Sequence, residues 1–161
     1  MLRVVKVRLY PDKKQINYIN DLLGSYRKVY NLCLDKKKTA YITNKTSLNL
    51  KELGHYFHNE LTKSEQYSYL NKHNTKVLKQ SIMNLLEAYK NFFINGNGFP
   101  RFKSKHDNTK SCRFPVDAIS TKNKYETKVL SLGGLKNLKF ECSDKYKIYL
   151  DKHKLHIKSA H

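Results

Sequence analysis

Arg101, Lys103 and Lys105 alternate with Phe102 and Ser104, so an extended backbone would line three cations along one face and track a phosphate chain. A solvated loop would have the same composition, and the residues alone leave both readings open. A second set lies at Lys76, Lys79 and Gln80, which together with Met83 fall away from the apolar stripe of a long helix that Asn74 or Thr75 can cap. Backbone amides, the positive end of a helix dipole and basic or amide side chains would meet there, a combination suited to phosphate contact and groove readout. The alternative is an ordinary exposed polar face. Arg27, Lys28 and Asn31 follow Gly24 and Ser25 at the expected start of another helix, where a helix-turn-helix protein would enter a major groove. The run Lys36-Lys37-Lys38 is expected to be a wet, solvated face.

Catalytic chemistry is harder to place. Thirteen acids are scattered along the chain, and from Gln66 to Tyr125 the only carboxylates are Glu87, Asp107 and Asp117. A two-metal nuclease needs several carboxylates converging on one site, and no such cluster is legible. Glu52, His55 and His58 share a helical face at three-residue spacing and could ligate a metal, but no fourth ligand is evident, so packed or surface histidines are expected there and at His153 and His156. No nucleophile elbow, P-loop or dinucleotide motif occurs, and no cofactor is expected. Cys33, Cys112 and Cys142 are odd in number and far apart, which fits small buried hydrophobes better than a disulfide framework or zinc site.

The chain as a whole points to a polyanion. Thirty-two Lys and Arg against 13 Asp and Glu give a formal charge of +19 in 161 residues, while 39% hydrophobic residues are too many for a disordered basic tail. One compact domain, or a small domain with a modest second lobe, is the size expected. No apolar run approaches a membrane span, and the N-terminus alternates apolar and basic residues rather than forming a signal sequence, so a cytoplasmic, nucleoid-associated protein without a membrane partner is expected.

The elements that must position these residues follow from periodicity. Val5, Val7 and Leu9 alternate with cations as a half-buried strand that Pro11 stops. Ile16, Ile19 and Leu23 mark a helix from Asp12 to Leu23, Gly24 supplies a turn, and Tyr26, Val29, Tyr30, Cys33, Ala40 and Tyr41 mark a second helix. A short third helix is expected over Leu48 to Phe57 with Leu50, Leu53, Tyr56 and Phe57 inward. The clearest element is Thr75 to Ile94, with Leu78, Ile82, Leu85, Tyr89 and Phe92 inward and Leu86 and Phe93 broadening the stripe. Tyr26, Tyr30, Tyr89 and Tyr146 are expected in the core rather than as base-stacking rings. Beyond Pro100 the pattern turns to strands at 113–115, 129–132 and 138–142 with a Gly133-Gly134 turn, then a short helix after Ser143. The result is an α+β chain in which a helical block of about 95 residues is inserted between strands that pair with each other.

Four ordered motifs give this pattern a relative: Arg8-Leu9-Tyr10-Pro11 with Gln15; Gly24 with Arg27, Val29, Tyr30 and Asn31; Leu78 with Ala88-Tyr89-Lys90-Asn91-Phe92-Phe93; and Gly98-Phe99-Pro100-Arg101-Phe102-Lys103-Ser104-Lys105. In these the chain resembles the N-terminal part of the TnpB (OrfB-type) transposon-associated RNA-guided nucleases, over residues 1 to about 115 and loosely beyond. The resemblance implies a helical recognition lobe with a helix-turn-helix-like start, inserted into a small wedge-type β domain. Residues 1–10 would be the first wedge strand, 11–105 the lobe, and 106–161 the remaining, incomplete wedge. It implies RNA (a guide scaffold) and double-stranded DNA as partners, and a region that reads a short motif beside the target. By position Leu50, Gly54, Thr75, Lys76, Lys79 and Gln80 fall in that region, and Arg8 lies in the first motif. The family's RuvC-like nuclease domain and four-cysteine zinc module lie downstream of the matched part, so no nuclease activity is expected of this chain. Two other readings stay open: a stand-alone helix-turn-helix DNA-binding regulator, and a metal-dependent nuclease using Glu52, His55 and His58.

Overall fold

A computed structural model of the chain describes residues 6–107, 110–120, 129–142 and 159–160. Strand β1 (Val7–Tyr10) leads into helix α1 (Lys13–Asn44), then α2 (Leu50–His55), a π-helical turn (Tyr56–Leu61), a 3-10 segment (Glu65–Lys72) and α3 (Thr75–Asn95). The β part follows as β2 (Phe114–Pro115), β3 (Ile119–Ser120), β4 (Val129–Leu132), β5 (Leu135–Cys142) and β6 (Ser159–Ala160). The expected helix after Ser143, with Tyr146, His153 and His156, lies outside the described residues.

The helical block is an insertion, as expected. β1 pairs antiparallel with β5, Val7 opposite Cys142 and Tyr10 opposite Lys139, in a sheet of order β1-β5-β4-β3; β2 pairs with β6. Leu130, Leu132, Leu135, Leu138 and Phe140 are buried in this sheet, so its inner face has its own apolar layer.

The expected turn at Gly24 is not there. Residues 13–44 form one helix of 32 residues, about 48 Å at 1.5 Å per residue. Glycine ends a helix when it takes the left-handed conformation, and Gly24 has none. A mid-helix glycine costs about 1 kcal/mol relative to alanine, and the buried stripe Leu22, Tyr26, Val29, Tyr30, Cys33, Leu34 runs on with unbroken phase. Burial therefore outweighs the local preference. The helix begins on a capping box, the Gln15 amide donating to Asp12 Oδ1 at 2.8 Å and Asp12 N to Gln15 Oε1 at 2.9 Å. It ends where Lys45 goes left-handed at φ 55°.

α3 starts on Asn74, whose Oδ1 accepts from Lys76 N at 2.9 Å, and stops at left-handed Gly96. Its buried residues Val77, Leu78, Ser81, Ile82, Leu85 and Tyr89 face α1 and α2. Phe93, expected to broaden the stripe, is 75% exposed instead, and Leu50, expected inward on α2, is exposed. The pairs Tyr18 with His73, Asn84 with Tyr26 and Lys37 with Tyr89 climb both helices together, so α1 and α3 run parallel and end at the same end of the lobe.

The Gly133-Gly134 turn joins sheet to lobe. Tyr18 Oη donates to the Gly133 carbonyl at 3.1 Å and Gln15 Nε2 to that of Lys136 at 2.9 Å, both from the start of α1. A Cβ on Gly134 (φ +115°) would stand 2.5 Å from Tyr18 Oη, and one on Gly133 2.9 Å from Val77 Cγ2 at the start of α3. Only glycine lets the turn approach both helices.

Candidate nucleic-acid interface

Beyond α3 the chain folds back along α1. Phe99 sets its ring edge against Tyr89 and Phe92, with centroids 5.5 and 5.3 Å away, and Pro100 is buried. Asn31 then grips the next stretch by both ends of its amide: Nδ2 donates to the Lys103 carbonyl at 2.9 Å and Oδ1 accepts from Lys103 N at 2.8 Å. These are the bonds a neighbouring β-strand would make, so a single side chain fixes an extended segment that belongs to no sheet. A turn follows in which Asp107 Oδ2 accepts from Ser104 N at 2.7 Å.

This clamp divides the three cations expected on one face. Arg101 and Lys105 are exposed, but Lys103 is half-buried with Nζ 4.4 Å from the centre of the Tyr30 ring. Burial holds the Lys103 ammonium below its ordinary range, opposed by the Asp107 carboxylate. Asn31 itself is used up inside the protein rather than offered to bases.

Arg27 and Lys28 lie in the middle of α1 rather than at a helix start, so no helix dipole end accompanies them; Lys28 Nζ sits 5.6 Å from the Tyr67 ring centre. Of the run expected to be a wet face, Lys37 is buried. Its ammonium donates to Ser47 Oγ at 3.0 Å and the Leu48 carbonyl at 2.5 Å, and lies 5.0 Å from the Tyr89 ring centre. Position 37 continues the stripe of Tyr26, Tyr30 and Cys33, a signal that was present in the spacing. Lys36 pairs with Glu60 at 3.2 Å, and Lys38 lies over Phe102 at 5.3 Å.

The start of α3 carries Thr75, Lys76, Lys79 and Gln80, and α2, which bears Gly54 and the exposed Leu50 and buries Leu53, packs against the same helix. Lys79 is exposed, and burial followed by its ammonium keeps His58 below the usual histidine range. Lys76 is held by Asp117 from the β part at 2.6 Å, and that bond lowers the Asp117 pKa. Arg8 stands elsewhere, exposed on β1 and 5.6 Å from the Tyr10 ring centre. The candidate residues thus fall into three places: α1 with the segment clamped on it, the start of α3 with α2, and the sheet edge. The contacts of Asp117 and Tyr18 were missed because they cross more than 40 positions of chain.

The other candidates for chemistry are occupied or inert. Glu52 Oε2 accepts from Asn49 N at 2.7 Å as a helix cap, turned to its own backbone rather than to His55 and His58. Among the described residues no group of three or more His, Cys, Asp or Glu could hold a metal ion. Cys33 and Cys112 are buried free thiols whose pKa burial pushes up to about 12 and about 11, which keeps them protonated and unreactive. Burial likewise raises the Tyr26 phenol strongly, its oxygen accepting from Asn84 Nδ2 at 2.9 Å. No helix among the described residues is long and apolar enough to cross a membrane.

A helical lobe carried between the strands of a small sheet, in a chain of formal charge +19, defines a strongly basic α+β protein. Residues 1–46 match the family model of a helix-turn-helix domain, that of OrfB proteins of IS605-type elements. A protein of Streptomyces pristinaespiralis named "Putative RNA-guided DNA endonuclease" is 26% identical over 130 residues, which are 75% of this chain and 30% of that protein. The virulence protein VsdF of Salmonella dublin is 33% identical over 116 residues, 66% of this chain and 96% of VsdF. The chain belongs to the OrfB (TnpB-like) family of IS605-type elements and corresponds to its N-terminal part. It spans about a third of the length of the Streptomyces relative. The family match supports nucleic-acid binding, and the described part of the matched residues holds β1 and the single helix α1.

Proposed function

We propose that this chain binds nucleic acid as the recognition part of an OrfB-type protein, holding a structured RNA and reading a short duplex DNA motif, with no cleavage chemistry of its own. The observation that carries the reading is the double hydrogen bond of Asn31 to Lys103, which fixes the exposed Arg101 and Lys105 on a rigid helix. Cations with fixed origins favour a phosphate path of fixed shape, as a folded RNA has. Lys79 and Gln80 at the start of α3, with Lys76, Thr75, Leu50 and Gly54 beside them, are the side chains for groove readout. Arg8 extends the positive field along the sheet edge. The scattering of 13 acids supports the absence of a cutting site, and the Streptomyces relative's name supports RNA and DNA as the partners. A cytoplasmic, nucleoid-associated location follows from such partners.

The stand-alone regulator reading is disfavoured by the continuity of α1, which leaves Arg27 and Lys28 without the helix start that would enter a major groove. Competition between structured RNA transcribed from the flank of the chain's own gene and random duplex DNA, from low to physiological salt, tests the proposal. A salt-resistant preference for the RNA is expected. Equal binding to both that vanishes as salt rises would overturn it.

A further inference from the structure

The far end of the helical lobe, away from the sheet, keeps large rings in water. Phe93 is 75% exposed, Tyr41 56% and Phe102 53%, and Ile42 and Ile94 stand out beside them in sequence. Phe93 has no room to turn in, because Phe99 already packs against the Tyr89 and Phe92 rings. Phe93 is instead backed by those two rings, stacked on Tyr89 with an interplanar angle of 22° and 5.0 Å from Phe92. Its outer face stays in water, with the Tyr89 ring centre 6.4 Å behind it.

Each of the other two exposed rings carries a cation: Lys38 Nζ lies 5.3 Å from the Phe102 centre and Lys45 Nζ 5.4 Å from that of Tyr41. The stretches 36–51 and 88–106, which supply this end, contain Lys and Arg and no carboxylate. Exposed rings beside cations that, Lys36 on Glu60 apart, make no ion pair among the described residues match unpaired nucleotides, whose bases stack while their phosphates meet the charges. A paired duplex hides its base faces and cannot use the rings.

We infer that this end of the lobe binds unpaired bases of RNA, with Phe93 and Phe102 as stacking platforms and Lys38, Lys45 and Arg101 on the phosphates. The inference rests on the proposed RNA-binding function and names the part of the RNA that the lobe would hold.

The test measures affinity of the purified chain for a labelled single-stranded RNA 12-mer and for a blunt RNA duplex of equal length at one salt concentration. Phe93→Ala with Phe102→Ala is expected to weaken single-strand binding about tenfold and leave duplex binding unchanged. Both rings are exposed, so the fold should persist, which circular dichroism checks. Phe93→Tyr should retain binding, whereas Phe93→Leu, apolar without a ring, should lose it as alanine does. Unchanged single-strand binding in the double variant overturns the inference while leaving the RNA-binding reading intact; a wild-type chain that binds neither RNA overturns both. Equal competition by single-stranded DNA would reassign the site to a DNA strand. A double variant that loses anionic phosphatidylserine vesicles, or dissociates a sedimenting dimer, with RNA binding intact would assign the rings to a membrane or a second copy and overturn the inference as well.

Discussion

The segment through Arg101 and Lys105 and the first turns of α3 both present cations, but they are held in place by different parts of the molecule. The segment has no secondary structure and takes its position from α1, through the Asn31 clamp and the Lys103 stem lying on Tyr30. The α3 start is rigid as a helix and, besides packing on α1 and α2, is tied to the β part through Val77 against the Gly133 turn and Lys76 on Asp117. The difference teaches that formal charge does not rank the contacts: Lys103 serves the fold while Lys105, two positions on, is exposed. It also means that the two regions can be disabled separately.

The strongest way to break the comparison is at the junction. Gly133→Ala places a methyl group 2.9 Å from Val77 Cγ2 and 3.1 Å from the Phe114 ring at a φ of +48°, and we expect a loss of about 2 to 3 kcal/mol. Chemical denaturation reads this as a lower midpoint, and duplex sequence preference should suffer more than RNA affinity. Wild-type stability in this variant would show that the turn does not hold the lobe. Next in size is Asn31→Ala, which removes two part-buried hydrogen bonds for a loss of about 1 to 2 kcal/mol. Limited trypsin digestion should then cut faster at Arg101 and Lys105, whereas Gly133→Ala should leave that segment protected. Similar cutting in both variants would mean that the regions are not independent.

Much of this arrangement was legible in the residues. Asn74 before the stripe Leu78, Ile82, Leu85, Tyr89 gave α3 to within a residue of its observed start, and the alternation at Val7 and Leu9 with Leu138 and Phe140 gave strands that do pair. The Gly24 turn was misread because glycine is a local signal and the packing of Tyr26 on Asn84 is not. Phe93 was misread for the same reason, since Phe99, six residues later, folds back onto Tyr89 and Phe92 while Phe93 stays exposed. Period-2 spacing put Lys103 level with Arg101 and Lys105, but only the Asn31 clamp and Tyr30 decide which of the three turns inward.

That division gives the finest prediction, and it concerns binding rather than folding. Counterion release makes the salt slope of log affinity count phosphate contacts, about 0.7 for each contact on a single strand and about 0.9 on a duplex. If Arg101 and Lys105 touch phosphate and Lys103 does not, Arg101→Ala and Lys105→Ala should each flatten the slope by about that amount. Lys103→Met keeps an apolar stem for Tyr30 and removes only an ammonium whose burial already opposes its charge. Its slope should equal that of the wild type even if stability shifts slightly. Three equal reductions would mean that Lys103 leaves Tyr30 when nucleic acid binds, and the segment would then behave as the uniform cationic strand that its spacing suggests. A loss at Lys105 with none at Lys103 would establish that the clamp sorts the charges before any ligand arrives.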